Sequence, residues 1–99
     1  MHERFRNIIN SDKPVLVDFY ADWCQPCKLM PPILKKVKDR FKDNIRIIKV
    51  NVDRHPAIAS NFQIQSIPAL LIFRNGEVRW QASGVQSEEI LNRQIQSLI

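Results

Sequence analysis

The chain has 99 residues, of which 44% are hydrophobic and 25% charged, with two cysteines and a formal net charge of +5. That size corresponds to one domain and that composition to a globular chain rather than a disordered one. Two cysteines exclude a multi-bridge secreted scaffold and any four-cysteine zinc or iron–sulfur centre.

Residues 1–6 are polar and lack the apolar core of a signal peptide, and no stretch approaches the ~18 apolar residues of a membrane span. The expected location is the cytoplasm, with no membrane partner. Phe5, Ile8 and Ile9 mark a short amphipathic helix over 3–10, ended by the turn cluster at 10–14. Residues 15–20 are a continuous apolar run with one acid, Asp18, inside it. Apolar side chains on both faces predict a central strand covered on both sides. Over 25–42 the period becomes helical, with Leu29, Ile33, Leu34, Val37 and Phe41 as the apolar face. Pro31 and Pro32 fall inside that helix and predict a kink.

Residues 45–52 read as a second strand, so 15–52 forms a βαβ unit with parallel strands and a right-handed crossover. Pro56 opens a short helix to Phe62. Strands at 69–74 and 77–82 are joined by Asn75-Gly76, a strong hairpin signal. A final helix covers 87–98, with Ser87 as N-cap, Glu88 and Glu89 in the first turn, and Ile90, Leu91, Ile95 and Leu98 facing inward. The expected fold is α/β, a mixed four-stranded sheet with helices on both faces, and residues 1–99 form a single domain without repeats or linkers. The basic run Lys35, Lys36, Lys38, Arg40 and Lys42 contains one aromatic, Phe41. It reads as a solvated helix face, with an electrostatic docking patch as the alternative. The aromatic interleaving of a nucleic-acid surface is lacking, so no nucleic-acid partner is expected.

Cys24-Gln25-Pro26-Cys27 falls where the first strand ends and the long helix begins. Open α/β sheets place their sites at such strand ends. A helix start also offers unpaired N–H groups and a positive partial charge, which lower a thiol's pKa below about 8.5. On this reading Cys24 is the accessible, attacking sulfur, and Cys27 lies one turn further in, placed to close a disulfide with it. A zinc half-site would need two further ligands, which His2 and His55 do not form as a pair. A structural bridge across so short a loop constrains the unfolded chain little. Redox chemistry is the specific reading of Cys-x-x-Cys beside a βαβ pattern, and it needs neither metal nor bound cofactor.

The segment from Val17 to Lys28, with Trp23-Cys24-Gln25-Pro26-Cys27 at its centre, resembles the active site of the thioredoxin family. The resemblance continues through Pro32, the residues 49–53, Ser66-Ile67-Pro68-Ala69-Leu70, Asn75-Gly76 and Gly84, and so spans nearly the whole chain from Lys13. It implies a thioredoxin-like fold and a reductase of protein disulfides, with Cys24 as nucleophile and Cys27 as resolving cysteine. Asp18 would be the buried acid beneath the disulfide that moves protons for Cys27, and Lys49 its neighbouring lysine. Read on residues alone, an acid inside an apolar strand is costly unless paired or functional, and its pKa should rise. Pro68 would be the family's cis-proline. Trp23, Pro26, Ile67, Pro68, Gly84 and Val85 would form the surface that docks substrates. The implied partners are disulfide-containing proteins and a thioredoxin-reductase-type electron donor, with the chain itself a monomer. Disulfide oxidation or isomerisation, and a non-catalytic binding module, are the alternatives.

Three departures from the family pattern stand out. Gln25 takes the place of a glycine between the cysteines, where the dipeptide bears on reduction potential. Ser66 replaces a glycine two residues before Pro68. The family's usual first strand has no counterpart, so the strand at 45–52 is expected at the sheet edge, where Arg46 and Lys49 discourage edge-to-edge pairing.

Overall fold

Among residues 2–99, which this computed structural model describes, the elements follow in the expected order. They are α1 (Glu3–Ile9), β1 (Val15–Tyr20), α2 (Met30–Phe41), β2 (Arg46–Asn51), α3 (Pro56–Asn61), β3 (Ala69–Arg74), β4 (Glu77–Ser83) and α4 (Glu88–Gln96). The sheet is ordered β2-β1-β3-β4. β1 runs parallel to β2, with Val15 opposite Arg46 and Asp18 opposite Lys49. It runs antiparallel to β3, with Asp18 opposite Leu70. The fold is thioredoxin-like, a mixed four-stranded sheet between two helical layers. β2 lies at an edge as expected, with Arg46 and Lys49 exposed.

Strand alternation divides the core in two. Val15, Val17 and Phe19 point to the face covered by α1 and α3, where they join Phe5, Ile9, Ile58 and Phe73. Leu16 points to the face of α2 and α4 and meets Met30, Leu34, Val37, Leu70, Leu91 and Ile95. Asp18 has the parity of Leu16, so its carboxyl is directed into the α2 layer. This placement makes a charged residue part of a dry sheet face.

The helix expected over 25–42 is two elements. Pro26–Leu29 is a 3₁₀ turn, and α2 starts at Met30. Pro31 and Pro32 lie in the first turn of α2, where N–H groups have no partner within the helix, so they open it rather than kink it. The same change of phase exposes Leu29 (58%) and buries Met30 in its place. Ile90, expected inward on α4, is also largely exposed at 39%, whereas Leu91 and Ile95 carry that helix's contacts. Within the basic run, Lys38 Nζ donates to the carbonyls of Lys42 and Ile45, both at 2.7 Å, and so closes the C-terminal end of α2. Lys35 pairs with Asp39 one turn on.

Asn75 (φ 53°) and Gly76 (φ 81°) take the left-handed values that a tight hairpin requires. Their N–H groups donate to Ser11 and Ile9 carbonyls at 2.8 and 3.0 Å, tying the hairpin tip to the end of α1. No helix among the described residues is long and apolar enough to cross a membrane.

Candidate active site

The C-terminal end of β1 leads into a short loop, and there Cys24 and Cys27 are joined as a disulfide with Cα atoms 5.4 Å apart. The 3₁₀ turn brings the Cys27 N–H to 3.3 Å from Cys24 Sγ. The sulfur therefore faces a local amide three residues on, and α2 begins only beyond the second cysteine. A donor at that distance favours a thiolate by the same physics expected of a helix start.

Cys24 is not the exposed sulfur that the sequence suggested. Cys24 and Cys27 are 4% and 5% exposed, and both pack with Ala21 against Tyr20, Val52 and Ile67. The loop before β3 explains the difference, because it folds over the turn and brings the Ile67 carbonyl oxygen to 3.8 Å from Cys24 Sγ. What distinguishes the two sulfurs is direction. Cys24 faces the Ile67–Pro68 loop, and Cys27 lines a recess with Tyr20, Asp22, Lys28, Pro31 and Lys49.

Asp18 has no solvent exposure, and neither carboxyl oxygen has a hydrogen-bond partner among the described protein groups. Burial raises its pKa from 3.8 to about 6, and the Lys49 charge offsets part of that rise. Lys49 is the opposite residue on β2, and its Nζ sits 4.6 Å from the centroid of the Tyr20 ring. The lysine therefore acts on Asp18 at a distance, without an ion pair among the described residues. The expected burial of Asp18 and its neighbourhood to Lys49 are both present in the sheet.

The expected docking residues occupy three loops around the disulfide. Trp23 is 69% exposed and Pro26 lies exposed beside Cys27. The Ile67–Pro68 peptide is cis, with Ile67 half-buried and Pro68 buried. Gly84 N donates to the Pro68 carbonyl at 2.7 Å, joining the third loop to the second and leaving Val85 exposed. Gly84 holds φ +88° with nothing within 4 Å of where a Cβ would be, so backbone conformation alone calls for glycine there.

Three polar residues complete the site that the sequence did not single out. Trp23 Nε1 donates to Asp53 Oδ2 at 2.8 Å. Buried Asn51 accepts through Oδ1 from the N–H groups of Asp53 (2.9 Å) and Arg54 (3.4 Å), and its Nδ2 reaches Asp22 Oδ1 at 3.5 Å. The turn after β2 thus fixes the indole beside the disulfide. The available signal was the Asn-Val-Asp run at a strand end, where Asn and Asp side chains bond the backbone two residues on. Among the described residues no group of three or more His, Cys, Asp or Glu side chains is placed to hold a metal.

Residues 1–97 match the thioredoxin family. A thioredoxin-like protein from Synechocystis is 44% identical over 92 residues, 93% of this chain and 88% of that protein. Thioredoxin 1 from Chlorobaculum tepidum is 46% identical over 77 residues, 78% of this chain and 76% of the relative. Among solved structures, a mutant thioredoxin from Halobacterium salinarum superposes with a TM-score of 0.88 at 30% identity, covering 99% of this chain and 85% of that one. Oxidised mitochondrial thioredoxin 3 from Saccharomyces cerevisiae gives 0.85 at 32% identity, covering 95% and 87%.

Proposed function

The chain belongs to the thioredoxin family and is a thiol–disulfide oxidoreductase; on that premise we propose how its residues divide the work of reducing protein disulfides. The observation that carries the proposal is a Cys24–Cys27 disulfide in the segment just after β1, the strand that carries the buried, unpartnered Asp18. In the reduced protein, Cys24 thiolate, favoured by the Cys27 N–H, attacks one sulfur of a substrate disulfide. The substrate bond breaks, one substrate thiolate leaves, and a mixed disulfide forms on Cys24. Cys27 then gives its proton to the Asp18 carboxylate and attacks Cys24 Sγ. The mixed disulfide breaks, the second substrate thiolate leaves, and the two electrons of the dithiol have passed to the substrate. A carboxyl near 6 suits this role, because it takes a thiol proton and returns it near neutral pH. Lys49 tunes that carboxyl through its charge.

Trp23, Pro26, Ile67, Gly84 and Val85 form the surface on which substrates settle, and Pro68, expected there from the sequence, is buried beneath it. Their support is placement: two loops are joined by the Gly84–Pro68 hydrogen bond, and the Ile67 carbonyl lies beside Cys24, the attacking sulfur. A reductase partner of the thioredoxin-reductase type restores the dithiol, and the chain carries electrons between the two as a monomer and a single domain. The cytoplasm is the compartment that fits, since a reductant must be kept reduced.

The test is substitution of each cysteine, followed by insulin reduction with dithiothreitol. Cys24→Ser abolishes catalysis, and Cys27→Ser accumulates mixed disulfides on Cys24 that are visible on non-reducing gels. Undiminished catalysis by Cys24→Ser overturns the mechanism. Equilibration with glutathione sets the direction: a potential near about −270 mV marks a reductant, whereas one near about −180 mV assigns isomerisation instead.

A further inference from the structure

β2 is hydrogen-bonded to a neighbouring strand on one side only. Arg46 N donates to the Pro14 carbonyl (3.0 Å) and Val52 N to the Tyr20 carbonyl (2.9 Å). In this parallel register residues 46, 48 and 50 direct their backbone groups toward β1, and residues 47 and 49 direct theirs outward. The N–H and C=O groups of Ile47 and Lys49 thus face away from β1, where no strand of the described residues pairs with them. Such an edge is a template for strand addition.

Between α1, β2 and α3 a recess of about 350 Å³ runs beside this edge. Phe5, Ile8 and Ile48 give it an apolar wall, and Arg4, Arg46 and Lys49 give it a cationic rim. His2 and His55 complete it, their ring centroids 6.2 Å apart, and among the described residues no acid lines it. That volume is at the small end of ligand pockets and suits side chains of a bound segment better than a separate ligand. The charge also selects the occupant. A second copy would bring Arg46 and Lys49 against the same residues, and like charges directly opposed across strands are destabilising. The carboxylates of an acidic segment would instead meet the rim of Arg4, Arg46 and Lys49.

We propose that the β2 edge docks an extended acidic segment of a partner protein as a fifth strand. Its backbone pairs with Ile47 and Lys49, its branched aliphatic side chains enter the recess over Ile8 and Ile48, and its carboxylates meet Arg4 and Arg46. Lys49 lines both this recess and the one holding Cys27, so the docked strand leads toward the disulfide.

The probe is a short, cysteine-free, fluorescein-labelled peptide of alternating Glu and Val, compared with its Lys-for-Glu counterpart by anisotropy on the full chain. The acidic peptide is expected to bind at least tenfold tighter, with amide shifts concentrated at Ile47 and Lys49 in NMR spectra. Arg4→Glu combined with Arg46→Glu should weaken it at least tenfold while reduction of a small aromatic disulfide is unchanged. If that double variant does not fold, Arg46→Gln alone should weaken binding at least threefold. A Cys24→Ser, Cys27→Ser variant should bind as the parent does, which separates this docking from the redox chemistry. Equal affinity for the two peptides, shifts centred on Trp23 and Val85, or a self-association that protects the Ile47 and Lys49 amides would overturn the proposal.

Discussion

Burial of Asp18 sets a pH dependence that can be worked out in sign. Its folded pKa is about 6 against 3.8 for the ordinary side chain, raised by desolvation and partly offset by Lys49. Between those values the folded state holds a proton that the unfolded state has released. Stability is therefore fully present below about pH 4 and is lost as pH rises through 6. A shift of about two units corresponds to at most roughly 3 kcal/mol. Asp18→Asn removes the ionisation, so its urea midpoint should match the parent's near pH 4 and exceed it by about 2–3 kcal/mol of stability at pH 8. The same variant should slow release of substrate from the mixed disulfide, most clearly below the ordinary thiol range. A stability difference independent of pH would show that the carboxyl is not the titrating group. The sequence made Asp18 conspicuous because one acid in an apolar strand has few explanations. Its lack of partners and its direction into the α2 layer came from strand parity and packing.

At the scale of elements, the turn after β2 controls a loop that follows β1. Asn51 closes that turn with its side-chain oxygen and holds Asp53, which in turn holds the Trp23 indole. Asn51→Ala leaves the Asp53 and Arg54 N–H groups without this acceptor and should cost about 1–3 kcal/mol. Freed from its anchor, Trp23 should show red-shifted emission. Catalytic efficiency should fall several-fold for a protein disulfide but little for a small aromatic disulfide that needs no docking surface. Equal loss for both substrates would make the turn purely structural. The sequence pattern found the four α-helices and four strands of the described residues, yet it merged the 3₁₀ turn at Pro26–Leu29 with α2 and erred where phase matters. Leu29 and Ile90 fit a helical spacing and are exposed, because α2 starts at Met30 rather than at the cysteines and α4 presents Leu91 and Ile95 to the sheet. Period reports that a helix exists. The packing partner decides which face is turned inward.

For the whole molecule, the net charge of +5 biases encounters toward acidic partners. Raising ionic strength from a low value to about 0.15 M shortens the screening length to about 8 Å. The efficiency of reducing an acidic protein substrate should then fall several-fold, with the rate at saturation unchanged, in stopped-flow measurements of tryptophan emission. A salt-independent efficiency would remove steering from the account.

The family resemblance set Lys49 beside Asp18; the sequence by itself determined that two cysteines form one redox pair where a strand gives way to a helical segment, and that Asp18 is a lone acid in an apolar strand. These follow from spacing and from the cost of an acid among apolar residues, both local properties of a chain. The tertiary structure decided the rest. It buried both sulfurs alike by laying the Ile67–Pro68 loop over them, and it joined Asn51, Asp53 and Trp23 across 28 positions of chain, from 23 to 51. It also left the β2 edge open beside a ring of cations. Such features depend on contacts between segments distant in sequence, which no local pattern encodes.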